Sequence, residues 1–206
     1  MGFGYLVLGF LVWLNPVYNG FTEWLAYTLI LMGTSKLAPY GKGYKLTAYA
    51  GVPGLILSFA NFILCGADLL GFISYRTMAI YTVIMLALMV CAIATRLLVL
   101  WGTFSITAET GLENHKLRSV YCMILYSLVF IFDILQTARV IPATSTGYTI
   151  IMFAYIIIGL IAFFLLFACL RMITLGEEEQ TEEKEKENKI SAWWQKIKDI
   201  SNENEK

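Results

Sequence analysis

Two acids stand inside otherwise apolar stretches of this chain, Asp68 in CGADLL and Asp133 in FIFDILQ. An ionised aspartate at the centre of a bilayer costs about 2.5 to 3.5 kcal/mol, so such residues are where membrane chemistry is first sought. Ser58, Asn61, Cys65 and Asp68 fall at i, i+3, i+7 and i+10, a spacing that gathers them on one helix face. Asp133, Gln136 and Thr137 make a shorter second patch. If the two faces oppose one another, with Glu23, Arg76 and Arg139 nearby, then Ser58, Asn61, Asp68, Asp133 and Gln136 line a hydrated vestibule toward one leaflet. That arrangement would receive or pass a small polar solute. The plainer alternative is that the same groups hydrogen-bond between helices or reach the headgroups.

Other chemistries find little material. His115 is the single histidine, and Cys65, Cys91, Cys122 and Cys169 each stand alone in apolar sequence. No metal site, redox pair or cofactor is therefore expected, and the cysteines read as small packing residues. The chain has no H-E-x-x-H, no Ser-His or Cys-His couple and no phosphate-cradling glycine loop. Two membrane acids suggest an aspartyl protease, but the glycine required immediately before the acid is missing at Asp68. The expectation is a protein that is not an enzyme.

The elements that must position these residues are set by lipid. Of 206 residues 58% are hydrophobic and 15% charged, against about a quarter charged in soluble domains. From Glu177 to the end there are ten acids and six lysines, whereas the preceding chain holds five acids and nine basic residues. A hydrocarbon core of about 30 Å needs roughly 20 apolar helical residues. Four segments qualify, near Leu46 to Ala67, Thr77 to Thr95, Ser119 to Ala138 and Tyr148 to Leu170. Before them, Gly2 to Leu14 and Glu23 to Lys36 flank the turn signals Asn15-Pro16 and Asn19-Gly20. They form two short spanning helices or one re-entrant hairpin. The fold class is thus an all-α polytopic bundle of about six helices over residues 1–172, followed by a charged linker, 173–188, and an amphipathic tail, 189–206.

With both termini cytoplasmic, Lys36, Lys42, Lys45, Arg96, Lys116, Arg118 and Arg171 fall inside, and only Arg76 and Arg139 fall outside before the tail. This bias follows the positive-inside rule. Trp13, Tyr18 and Trp24 would belt one interface and Tyr40, Tyr44 and Trp101 the other. Gly111 is expected to stop a helix and Asn114 to cap the next. Gly51, Pro53 and Gly54 predict a kink or a late helix start. Val83, Ala87, Cys91 and Thr95, spaced by four, predict a seam for close helix packing or for a second copy of the chain.

In ISAWWQKIKDI, Ile190, Trp193, Trp194, Ile197 and Ile200 recur at i, i+3, i+4, i+7 and i+10, with lysines on the remaining arc. An amphipathic helix of this kind lies on the inner leaflet or docks into a protein partner's groove. No nucleic-acid partner is expected.

The opening FGYLVLGFLVWLNPVYNGFTEWLAYTLILMGTSKLA resembles that of small uncharacterised membrane proteins of Gram-positive bacteria. They pair a short helix ending in Asn-Pro with one ending in Gly-x-x-Lys-Leu, here Gly33 to Leu37, and the likeness extends loosely to TAETGLENHKLR. Thr22-Glu23-Trp24 stands where they often carry Pro-Asp. The resemblance implies a bacterial cytoplasmic membrane and no particular activity. The first functional expectation is a non-catalytic accessory, scaffold or sensor subunit whose tail contacts lipid or a partner. The second is a small-solute or ion transporter or channel. Against the second, this reading places no ionisable group at mid-membrane, where transporter sites lie.

Overall fold

A backbone that cannot meet water must bond to itself, and every apolar stretch of this chain is helical. A computed structural model describes residues 2–14, 21–75, 79–137 and 146–172. The helices are α1 (Gly2–Val12), α2 (Phe21–Leu37), α3 (Lys42–Leu69), α4 (Ala79–Glu109), α5 (Glu113–Thr137) and α6 (Thr146–Met172), with a 3₁₀ turn over Ala38–Tyr40. No strand occurs among the described residues. Helices α3 to α6 are long and apolar enough to cross a membrane, and the protein is an all-α membrane bundle. Met1–Phe167 make up one compact unit and Ala168–Lys206 a second.

The four long helices extend past the apolar stretches that define them. At 31 residues, α4 spans about 46 Å, half again the hydrocarbon thickness. Lys42 and Lys45 occupy the first turn of α3, and Lys116 and Arg118 the start of α5, so these cations sit on helix ends and not in loops. Four threonine hydroxyls within the apolar helices are satisfied locally. Thr47, Thr95, Thr103 and Thr107 donate to the carbonyls of Gly43, Cys91, Val99 and Thr103 at 2.7 to 3.0 Å, which avoids a stranded polar group without a tertiary partner.

Two helices end on the same device. Gly71 and Gly111 adopt positive φ, 77° and 72°, and the residue after each, Phe72 or Leu112, donates its N–H to the carbonyl five residues back, Ala67 or Thr107. This is the Schellman closure that glycine permits, and at Gly111 it is the expected stop. Helix α5 then begins at Glu113, one residue before the expected cap, so Asn114 lies within its first turn. The late start expected around Pro53 does not form. Helix α3 begins at Lys42 and carries Pro53 in its interior, leaving the Tyr49 carbonyl without its helical donor.

Helices α3 and α4 approach closely where Gly43 meets Gly102. A Cβ on Gly43 would run into the Gly102 backbone nitrogen and come within 2.7 Å of the Leu98 carbonyl oxygen. Beside this crossing Tyr44 is buried, its hydroxyl 3.0 Å from Thr103 Oγ1 and its ring edge-on to Phe3 at 6.2 Å. The expected packing seam on α4 is only half used. Thr95 is buried and Ala87 and Cys91 partly so, whereas Val83 is exposed. The buried ridge runs instead through Leu88, Ala92, Arg96, Val99, Thr103 and Thr107.

Helices α1 and α2 pack antiparallel, with Gly33 against Gly2 and Leu6, and Gly9 against Ile30. At 11 residues, α1 rises about 16 Å, half of what a crossing needs. Its contacts fix how far it reaches. Tyr27 packs on Gly54 and Trp24 on Phe59, both in the middle of α3, while Leu14 meets Gly159 in the middle of α6. The base of the hairpin, Gly2 and Leu37, leads directly into the lysine-bearing start of α3. The hairpin thus enters at that end of the bundle and its described residues stop near half height. Trp13 and Trp24 accordingly belong to the bundle's middle and not to an interfacial belt, and buried Tyr44 leaves the opposite belt, where Tyr40 and Trp101 remain exposed. Tyr18 lies outside the described residues.

Candidate functional site

The expected vestibule residues divide between two places. On α3, Ser58 and Asn61 are fully buried. Ser58 donates back to the Leu55 carbonyl at 3.0 Å. Asn61 Oδ1 accepts from the Tyr75 hydroxyl at 3.2 Å and from the Cys65 thiol at 3.6 Å. Asp68 Oδ1 accepts the Tyr75 backbone N–H at 2.8 Å. Tyr75, itself buried and edge-on to Tyr81 at 5.2 Å, thus bolts the end of α3 to the segment that enters α4. This cluster ties a connection in place, and its one loose polar atom is Asn61 Nδ2.

Asp133 is elsewhere. It lies on α5, where its Oδ2 accepts the Tyr155 hydroxyl of α6 at 3.3 Å, and it faces a cavity of about 270 Å³. Gln136 falls on α5, with its side chain outside the described residues. Arg76, Arg139 and the residues 173–206 are also outside them, and with these the tail positions Ile190, Trp193, Trp194, Ile197 and Ile200.

The cavity is walled by the hairpin through Phe10, Trp13, Leu14, Thr22 and Glu23, by α4 through Arg96, by α5 through Tyr126 and Asp133, and by α6 from Tyr148 to Gly159. Arg96, expected in a loop, is two residues past the midpoint of α4 and only 8% exposed. Three rings surround its guanidinium carbon, Trp13 at 4.5 Å, Tyr126 at 5.5 Å and Tyr155 at 5.6 Å. Desolvated cation–π contacts of this kind contribute about 2 kcal/mol or more, which offsets part of the cost of burying the charge. Rings offer no in-plane acceptor, however, and Arg96 Nε is buried without a partner.

Glu23 faces the same space. It is 5% exposed, and its Oε2 has no hydrogen-bond partner. Among the described residues no Glu23–Arg96 ion pair forms within 4.0 Å. Both groups sit at the depth where the hairpin ends. Asp133 lies seven residues along α5 from Tyr126, about 10 Å farther toward the end of the bundle where α6 begins. There Tyr148 and Met152, both exposed, form a rim. The cavity therefore has a charged floor at half height, apolar and aromatic walls, and an acid near its mouth.

Sequence reasoning missed Arg96 because the charge ended an apolar window. The available signal was that LLVLWGTF resumes directly after it, with no Pro, Asn or Asp before Gly111. With Arg96 withdrawn from the loops, the charge bias before the tail falls from seven against two to six against two. No family model matches the chain, and neither a curated protein nor a solved structure matches it significantly.

Proposed function

We propose that the protein is a membrane carrier or channel for a small polar solute, received in the cavity between the hairpin and helices α4 to α6. One observation carries this reading. Arg96 and Glu23 are both more than nine-tenths buried, both face the cavity, and each keeps a polar atom without a partner. Burying a charge costs several kcal/mol even after relaxation, and a bundle that served only as an anchor would gain nothing from two such groups left apart. Ionisable residues retained at membrane depth are the usual mark of a solute or ion path, and a broken or re-entrant helix lining a mid-depth cavity is the usual way to build one.

The remaining cation bias supports a cytoplasmic placement of the end bearing Lys42, Lys45 and Lys116. The rim at Tyr148 then faces outward, in a bacterial cytoplasmic membrane.

A single cysteine at Ile156, on the cavity wall, tests the reading in a chain whose four native cysteines are replaced by alanine. A charged thiol reagent that cannot cross membranes should modify it from the rim side in intact cells, and a cysteine at exposed Tyr148 serves as the positive control. Modification at position 148 with none at 156 from either side of the membrane would make the cavity a sealed structural void and end the proposal.

A further inference from the structure

Resting on the reading of this cavity as a solute site, we infer that its solute is a small zwitterion of the amino-acid type. Its carboxylate sits on Arg96, its ammonium group on Glu23, and its apolar side chain on the surrounding walls. A guanidinium carries five N–H donors in a planar fork. Around Arg96 the neighbours are ring faces, and among the described residues it makes no hydrogen bond. The group that fits such a fork is a carboxylate, bound through two parallel hydrogen bonds. An ionised Glu23 has the opposite need. It is an acceptor only, and its open Oε2 calls for a cationic donor.

A ligand of one sign would complete one of these groups and strand the other more deeply. One short ligand carrying both signs completes both, and it brings no net charge into the low-dielectric floor. Asp133 is not the second anchor, because it lies about two helical turns beyond Tyr126, toward the rim and away from Arg96. Phe10, Leu14, Ile151 and Ile156 make the rest of the wall apolar, which suits an aliphatic or aromatic side chain. The volume of about 270 Å³ falls just below the range of about 300 to 1,000 Å³ that holds drug-sized molecules, which limits the ligand to something of single-residue size.

The test uses the full chain in lipid nanodiscs and three probes that share the leucine side chain: leucine, 4-methylpentanoate, which lacks only the amine, and isoamylamine, which lacks only the carboxylate. Leucine should bind saturably and at least about tenfold more tightly than either partial analogue, the ratio expected for one charged hydrogen-bonding group. Arg96→Gln should make leucine and isoamylamine equivalent, and Glu23→Gln should make leucine and 4-methylpentanoate equivalent. Variants that remain monodisperse but keep the wild-type preference overturn the inference.

Equal binding of leucine and one partial analogue to the wild-type protein also overturns it, while leaving the solute site in place. If none of the three binds but the cysteine at position 156 is modified from the rim side, the ligand class is wrong and the transport reading stands. If position 156 is unreactive as well, both fall.

Discussion

The two polar clusters of this bundle have similar ingredients and opposite bookkeeping. At the end of α3, Asn61 and Asp68 meet Tyr75 through hydrogen bonds of 3.2 and 2.8 Å, and the acid has a backbone N–H to accept. There Asp68 is half-buried and only the Asn61 amide nitrogen is left open. At the hairpin end, by contrast, Arg96 and Glu23 are both buried, each keeps an atom of its charged group unpartnered, and no ion pair joins them among the described residues. The first pattern is what a membrane protein does to hold itself together, because an unmet donor inside lipid is expensive. The second leaves valences open toward a cavity. The number of polar groups does not separate structure from site in such a bundle; whether the charged ones already have partners does.

The contrast is broken most severely by disturbing the frame that holds both clusters. Gly43→Ala drives a methyl group into the α4 backbone, and overpacking against main chain should cost about 3 kcal/mol or prevent folding, measured as the yield of monodisperse protein and its melting temperature. Asp68→Ala strands the Tyr75 N–H. It should cost about 2 kcal/mol in stability while leaving solute binding at the cavity unchanged. Arg96→Met should do the reverse. Removing an unpaired buried cation for an apolar side chain is neutral or stabilising, within about 1 kcal/mol, and binding at the cavity is lost. A large destabilisation by Arg96→Met would merge the two clusters into one structural class.

The smallest effect is expected from the tail. Removing residues 177–206 should leave the melting temperature unchanged, and changing Trp193 and Trp194 to Glu in an isolated tail peptide should abolish its binding to anionic vesicles. Co-purification of a partner with the full chain but not with the truncated one would instead support the accessory role expected from the tail sequence.

Much of the fold was legible because the bilayer imposes it. Helices α3, α5 and α6 follow from runs of apolar residues, and Gly111 marks a stop because a left-handed residue is needed there. Helix α4 was read short for a physical reason. A hydropathy window treats Arg96 as leaving the membrane, yet three aromatic rings allow it to stay. The depth of the hairpin was undecidable from length alone, since it depends on where Leu14 and Trp24 find their neighbours. Of the site, Asp133 was visible as an acid in an apolar stretch, and Glu23 only as a charge near the expected vestibule. Tyr126 and Tyr155 were not, because tyrosines in apolar helices carry no mark until helices from different parts of the chain bring them to one cation.

The described residues of the hairpin stop near half height. Among the described residues up to Phe167, a section through the half bearing Lys42 and Lys45 cuts six helices, and a section through the other half cuts four. Two extra helices of about 10 Å diameter occupy roughly 160 Å² more of one leaflet than of the other. An asymmetry of that size sets unequal demands on the two monolayers, and tighter lipid packing on the wider side is expected to press on the helices around the hairpin.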